Sequence, residues 1–113
     1  MILITGTSLI FAQEYSVPKK EFRATWIATV INLDWPQSGG LPPRFQKDDL
    51  VNKLDRLQEA GINVVYFQIR TEGDALYDSP TEPWSKYLTG EEGKAPDPYW
   101  DPLTFAIEEA HKR

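Results

Sequence analysis

The sequence predicts an α/β fold, the first two βα units of a (β/α)8 TIM barrel, truncated after the second. Three observations predict it. Hydrophobic patterns of period two and period 3.6 alternate in the order strand, helix, strand, helix. The helix-to-strand links are short and the strand-to-helix loops long, as in units whose working loops gather at one end of a parallel sheet. The 113 residues also stop far short of the about 250 that a closed barrel takes. Two units leave both sheet edges unpaired and the helix stripes without full cover, so the expectation is a fragment.

The first twelve residues read as a signal peptide. Ile2-Leu3-Ile4 and Leu9-Ile10-Phe11-Ala12 make an apolar stretch of signal-core length, with Ala12 as a cleavage residue and polar Gln13-Glu14 after it. The stretch is too short to cross a bilayer, which takes about 20 residues. No Lys or Arg precedes it and Ile10 is larger than the residue usual there, so an N-terminal strand is the alternative. Residues 13–20, polar and marked by Pro18, read as a linker that separates this run from the first strand. The expected location is secreted or periplasmic.

From residue 21 the barrel portion begins. Glu21 to Ile31 reads as a strand in which Phe22, Ala24, Trp26, Ala28 and Val30 alternate with a mixed set. Neither face looks freely solvated, as in parallel sheets covered on both sides, and Trp26 is expected in the core. Asn32 to Gln46 is a loop broken by Pro36, Gly39-Gly40 and Pro42-Pro43. Lys47 to Ala60 reads as a helix, with Asp48 and Asp49 in a first turn where the dipole favours negative charge. Leu50, Val51, Leu54 and Leu57 form its apolar stripe, and Gly61 stops it.

Asn63 to Arg70 reads as the second strand. Val65, Phe67 and Ile69 would meet helices, while Val64, Tyr66, Gln68 and Arg70 would line the interior and turn polar towards the ligand-binding mouth. Thr71 to Trp100 is a loop far longer than the about 12–15 residues beyond which loops are usually functional or disordered. Its aromatic residues argue against disorder. Asp101 as N-cap and Pro102 at the first helical position open a second helix, whose stripe is Leu103, Ala106, Ile107 and Ala110. His111, in its last turn, complements the dipole.

Composition removes several function classes. The net charge is −5 and no Lys/Arg cluster exceeds a pair, so nucleic acid is excluded as a partner. There is no cysteine, hence no disulfide framework, thiolate metal site or catalytic thiol. One histidine alone builds no metal site, no phosphate-cradling glycine motif is present, and no cofactor is expected. No membrane span is expected, and the oligomeric state is left open.

Longer stretches carry a resemblance. Glu21-Phe22-Arg23-Ala24-Thr25-Trp26-Ile27-Ala28-Thr29-Val30 followed by Asn32-Leu33-Asp34-Trp35-Pro36 resembles the start of the glycosyl hydrolase-like 10 family. Ala60-Gly61-Ile62-Asn63-Val64-Val65-Tyr66-Phe67-Gln68-Ile69-Arg70 is similar to its second strand. Gly73-Asp74-Ala75-Leu76-Tyr77, Glu82-Pro83-Trp84-Ser85-Lys86-Tyr87-Leu88-Thr89-Gly90 and Gly93-Lys94-Ala95-Pro96-Asp97-Pro98 are similar to its loops, so the likeness runs from about Pro18 to Arg113. The resemblance implies a (β/α)8 barrel exported from bacteria. It also implies hydrolysis of glycosidic bonds, with cell-wall glycan strands as one substrate class and carbohydrate as the partner.

Glycoside hydrolysis needs two carboxyl groups flanking the scissile bond, one a proton donor and the other a nucleophile or base. By analogy with other barrels the pair comes from later strands, so this piece is expected to lack it and to be inactive alone. Asp34 and Asp74 are the candidates if the pair is present, since they follow neighbouring strands; the alternative is that they order loops or hold substrate hydroxyls. Gln68 and Arg70 are candidates for binding sugar, with Asp34 or Asp74 as the partner of a buried Arg70; an internal salt bridge is the alternative. Trp35, Trp84 and Tyr87 could stack on sugar faces, or could pack the long loop onto the rim. A non-catalytic carbohydrate-binding module is the competing reading of the whole.

Overall fold

Two short strands run side by side in the same direction. β1 (Ala24–Ile27) pairs with β2 (Val64–Phe67), Ala24 opposite Val64 and Ile27 opposite Phe67. The computed structural model describes residues 21–113, so the export segment expected over 1–12 and the linker over 13–20 lie outside the described residues. Both strands are shorter than their hydrophobic patterns predict. The ladder stops because side chains take over its hydrogen bonds: beyond Ile27 the backbone of Thr29 and Val30 donates to the Gln68 carboxamide, and Ala28 donates to Asp34. At the other end Arg23 N–H donates to the Asn63 side chain.

Helix α1 (Pro43–Glu59) joins the strands. It begins four residues before the expected start, because Pro43 sits near its N-terminus with a φ suited to the first turn. Asp48 and Asp49 therefore stand beyond the first turn, which holds no acidic residue. The C-terminus follows the expectation: Gly61 takes φ +85°, and the N–H groups of Gly61 and Ile62 cap the carbonyls of Gln58 and Leu57. Leu50 and Leu54 are buried from this helix, with Leu57 packed at the margin of the core. Each buried leucine contributes about 1.5–3 kcal/mol.

The long loop after β2 contains an element the pattern does not reveal. Helix α2 (Lys86–Thr89) is a single turn, opened by the Ser85 hydroxyl accepting from Tyr87 N–H and closed by left-handed Gly90. An isolated parallel bridge between Ala75 and Trp84 folds the loop back on itself. Helix α3 (Pro102–His111) has the expected cap, with Asp101 accepting from Thr104 N–H at 3.0 Å.

The helices cover one face of the sheet. Ile27, Val65 and Phe67 point towards them, as expected for β2, and join Leu50, Leu54, Trp35, Leu76, Leu88 and Trp100 in the core. Among the described residues, nothing is packed as a layer on the opposite face. Trp26, expected in the core, is 59% exposed, stacked on Tyr66 with Phe22 tilted against the same ring. The stripe of α3 is only partly covered: Leu103, Ala106, Ile107 and Ala110 line an open groove with Ile69 and Val65, and Ile107 stays exposed. Among the described residues no helix is long and apolar enough to cross a membrane.

Candidate substrate-binding rim

The polar residues predicted from sequence gather where β1 and β2 end, and most are already committed to protein partners. Gln68 stitches the two strand ends. Its Oε1 accepts from Thr29 N–H at 2.8 Å and Val30 N–H at 3.0 Å, while Thr29 Oγ1 donates to the Gln68 carbonyl at 2.7 Å. Thr29 is fully buried beneath this junction. Asp34 closes the loop after β1 by accepting from Ala28 N–H at 2.8 Å, and its own N–H donates back to the Ala28 carbonyl. Its residue remains exposed.

Asp74 is buried and turned into its own loop. It accepts from Thr71 N–H at 2.9 Å, Glu72 N–H at 3.0 Å and the Thr71 hydroxyl at 2.6 Å. Burial by itself raises the pKa of this carboxyl, but hydrogen bonds from the Thr71 hydroxyl, the Glu72 amide, the Ser85 hydroxyl and the Thr71 amide outweigh it and hold the group at about 2. A carboxylate so held is a poor proton donor near neutral pH. The loop-ordering alternative thus describes Asp74, and the Asp34–Asp74 pair does not present two free carboxyl groups to one substrate atom.

Arg70 pairs with Glu82 at 2.9 Å rather than with Asp34 or Asp74, and the pair is exposed rather than buried. The correction follows from the fold-back at Ala75 and Trp84, which returns residue 82 to the end of β2. Trp35 is likewise corrected. It is fully buried, its indole N–H donates to the Gln46 carbonyl at 2.8 Å, and its ring meets Phe67 and Trp100 edge-on. No face is left for a sugar. Trp84 is half-buried, edge-on to Tyr99.

Tyr87 stands differently. Its hydroxyl donates to Glu72 Oε1 at 2.7 Å, Lys86 Nζ lies 3.5 Å from Glu72 Oε2, and the same ammonium sits 5.2 Å from the Tyr87 ring centroid. The Glu72 hydrogen bond raises the Tyr87 pKa, and the charge of Glu72 raises that of Lys86. Asn32 pins this cluster to the other loop, its amide donating to the carbonyls of Tyr87 at 2.8 Å and Pro36 at 2.9 Å. Asn32 and its neighbour Ile31 both have positive φ, 54° and 50°. Asn tolerates that region, but for a β-branched residue it is a strained conformation. Sequence reasoning left Asn32, Glu72 and Lys86 out of the site. The adjacency of Lys86 and Tyr87 was visible; their meeting with Glu72 depends on the fold-back.

Polar side chains at the carboxyl ends of parallel strands, framed by long aromatic loops, are the layout of α/β proteins that bind ligands at that end of the sheet. The chain belongs to the glycosyl hydrolase-like 10 family, whose profile matches residues 21–113. It is 48% identical over 118 aligned residues to glycosyl hydrolase YngK of Bacillus subtilis strain 168, covering 98% of this chain and 22% of that protein. It is 43% identical over 98 residues to glycosyl hydrolase DigH of Escherichia coli K12, covering 80% of this chain and again 22% of the relative. The chain thus spans about a fifth of the length of these curated relatives.

Proposed function

We propose that these residues are the N-terminal part of a (β/α)8-barrel glycoside hydrolase that acts on polysaccharide, with bacterial cell-wall glycan as the substrate class. In this reading the protein is exported by its first twelve residues. The observation that carries the reading is the rim itself: two parallel strands whose carboxyl ends and long following loops collect Gln68, Arg70, Glu72 and Tyr87 on one end of the sheet, in a chain of a glycosyl hydrolase-like family. In barrel enzymes that end holds the ligand.

The reaction requires a carboxylic acid to protonate the leaving oxygen and a carboxylate to attack the anomeric carbon or activate water. With Asp74 committed to its loop, these residues supply sugar contacts, and the catalytic pair comes from the remaining length that such a protein has. The commitment of Asp74 equally favours a second reading, a carbohydrate-binding module without hydrolysis. Incubating the intact protein with solubilised cell-wall glycan strands and following new reducing ends by mass spectrometry tests both. Cleavage is the expected result. Binding without cleavage would select the module, and neither binding nor cleavage would overturn the assignment.

A further inference from the structure

We propose that Glu72, Lys86 and Tyr87 form a sugar subsite that takes two neighbouring oxygens of one ring, a hydroxyl donating to Glu72 and the adjacent oxygen accepting from Lys86. The inference rests on the glycan-active reading above and adds to it the residues that read the ring.

The cluster has unused hydrogen-bonding capacity of both signs. A carboxylate offers about four acceptor sites and an ammonium three donors. Glu72 uses one acceptor firmly, for the Tyr87 hydroxyl at 2.7 Å. Lys86 Nζ stands 3.5 Å from Glu72 Oε2, beyond the about 2.7–2.9 Å of a charge-assisted hydrogen bond. Both side chains are about half exposed, 51% for Lys86 and 49% for Glu72. A hydroxyl pair can therefore enter beside them without displacing a buried contact. Tyr87 donates its proton to Glu72 and so fixes the direction in which the carboxylate faces.

The mounting of the cluster points the same way. An exposed ion pair contributes only about 0–1 kcal/mol to folding, yet the turn that carries Lys86 and Tyr87 is held from several sides. Asn32 grips the Tyr87 carbonyl from a left-handed backbone. Gly40 N–H and Gln46 Nε2 both donate to the Leu88 carbonyl, at 3.1 and 2.8 Å. Gly39 lies so close that a Cβ there would stand 2.5 Å from the Lys86 carbonyl oxygen. Holding polar groups in place before the ligand arrives lowers the ordering cost of binding.

The test is calorimetric titration of the intact protein with solubilised cell-wall glycan strands, comparing the parent with Glu72→Gln, Lys86→Gln and Tyr87→Phe. Lys112→Gln serves as control, because Lys112 pairs with Glu109 on α3 as another exposed ion pair. The expected result is a loss of affinity of about tenfold or more for Glu72→Gln and several-fold for Lys86→Gln, with the control unchanged. Parent-like affinity, within twofold, in both Glu72→Gln and Lys86→Gln would overturn the subsite while leaving the glycan-active reading standing. A parent that binds no glycan would overturn both. Should Glu72→Gln lose its folded near-ultraviolet signature, Lys86→Gln decides alone, since its ammonium touches no buried group.

Discussion

Around the carboxyl ends of β1 and β2, Trp35, Leu76 and Leu88 are fully buried, and side chains bridge from loop to loop. On the sheet face turned away from the helices, Phe22, Trp26 and Tyr66 are exposed among the described residues and packed against one another. Both regions are aromatic, so composition does not explain the difference. What differs is how much neighbouring structure each region has among the described residues. The loops close on themselves through hydrogen bonds from loop to loop, whereas the outer sheet face offers a surface that the two described strands leave open. The lesson is that the loop layer at the carboxyl ends of the strands is packed by its own residues, whereas the outer sheet face is not.

The comparison is broken most severely at Trp35. Trp35→Ala removes the ring that joins β2, the loop before α1 and Trp100, together with the indole N–H that donates to the Gln46 carbonyl. The expected loss is about 3–5 kcal/mol, read from the denaturant midpoint. A loss below about 1 kcal/mol would mean that the loop layer is not the firm part of the molecule. Gly39→Ala strikes the same layer through the backbone. Its Cβ would meet the Lys86 carbonyl oxygen at 2.5 Å and Gly90 nitrogen at 2.9 Å, neither of which is the end of a flexible side chain. The expected cost is about 1–3 kcal/mol, measured in the same way.

Acid weakens the loop layer through Asp74. Its folded pKa, about 2, lies below the ordinary 3.8. A depressed carboxyl stabilises the fold fully above the unfolded value and loses that contribution as pH falls through the folded one. At about 1.4 kcal/mol per unit the contribution is about 2 kcal/mol, lost between about pH 4 and pH 2. Asp74→Asn, neutral at every pH, is expected to flatten the stability profile over that window. An unchanged slope between pH 5 and pH 2 would show that Asp74 is not held as the hydrogen bonds suggest.

What the sequence showed and what it hid divide along similar lines. Features set by residues a few positions apart were legible: the leucine stripe of α1, the Gly61 stop and the Asp101–Pro102 start of α3. The one-turn helix α2 was too short to show a period, and the start of α1 was masked because Pro42-Pro43 reads equally as a loop breaker. For the candidate site residues, the positions along the chain were legible and their contacts were not. Gln68 and Arg70 follow directly on β2 and Tyr87 lies on α2, but the partner of Arg70 is twelve residues on, and Glu72 meets Tyr87 across fifteen. Those separations are fixed by the fold-back at Ala75 and Trp84, which no local pattern announces. Trp35 stayed open in sequence between stacking on sugar and packing, because a tryptophan beside a loop aspartate looks the same whether it points inward or out; it is fully buried.

The smallest effect is expected on the bare face, and it is the one that separates completeness of packing from aromatic content. Trp26 has the same side chain as Trp35, yet it is 59% exposed and its main contact is a stack on Tyr66 at 6.1 Å. An aromatic pair contributes about 0.5–1.5 kcal/mol beyond the area it buries, and solvent on the other ring face reduces the area term. Trp26→Ala in the 113-residue chain should therefore shift stability by less than about 1 kcal/mol. Calorimetric or denaturant unfolding of Trp26→Ala beside Trp35→Ala gives the contrast directly. If the two cost the same, the outer face is covered in solution, and a bare sheet beside a finished loop layer is the wrong picture. If Trp26→Ala is nearly neutral, identical rings differ severalfold in value, and the difference lies in what surrounds them.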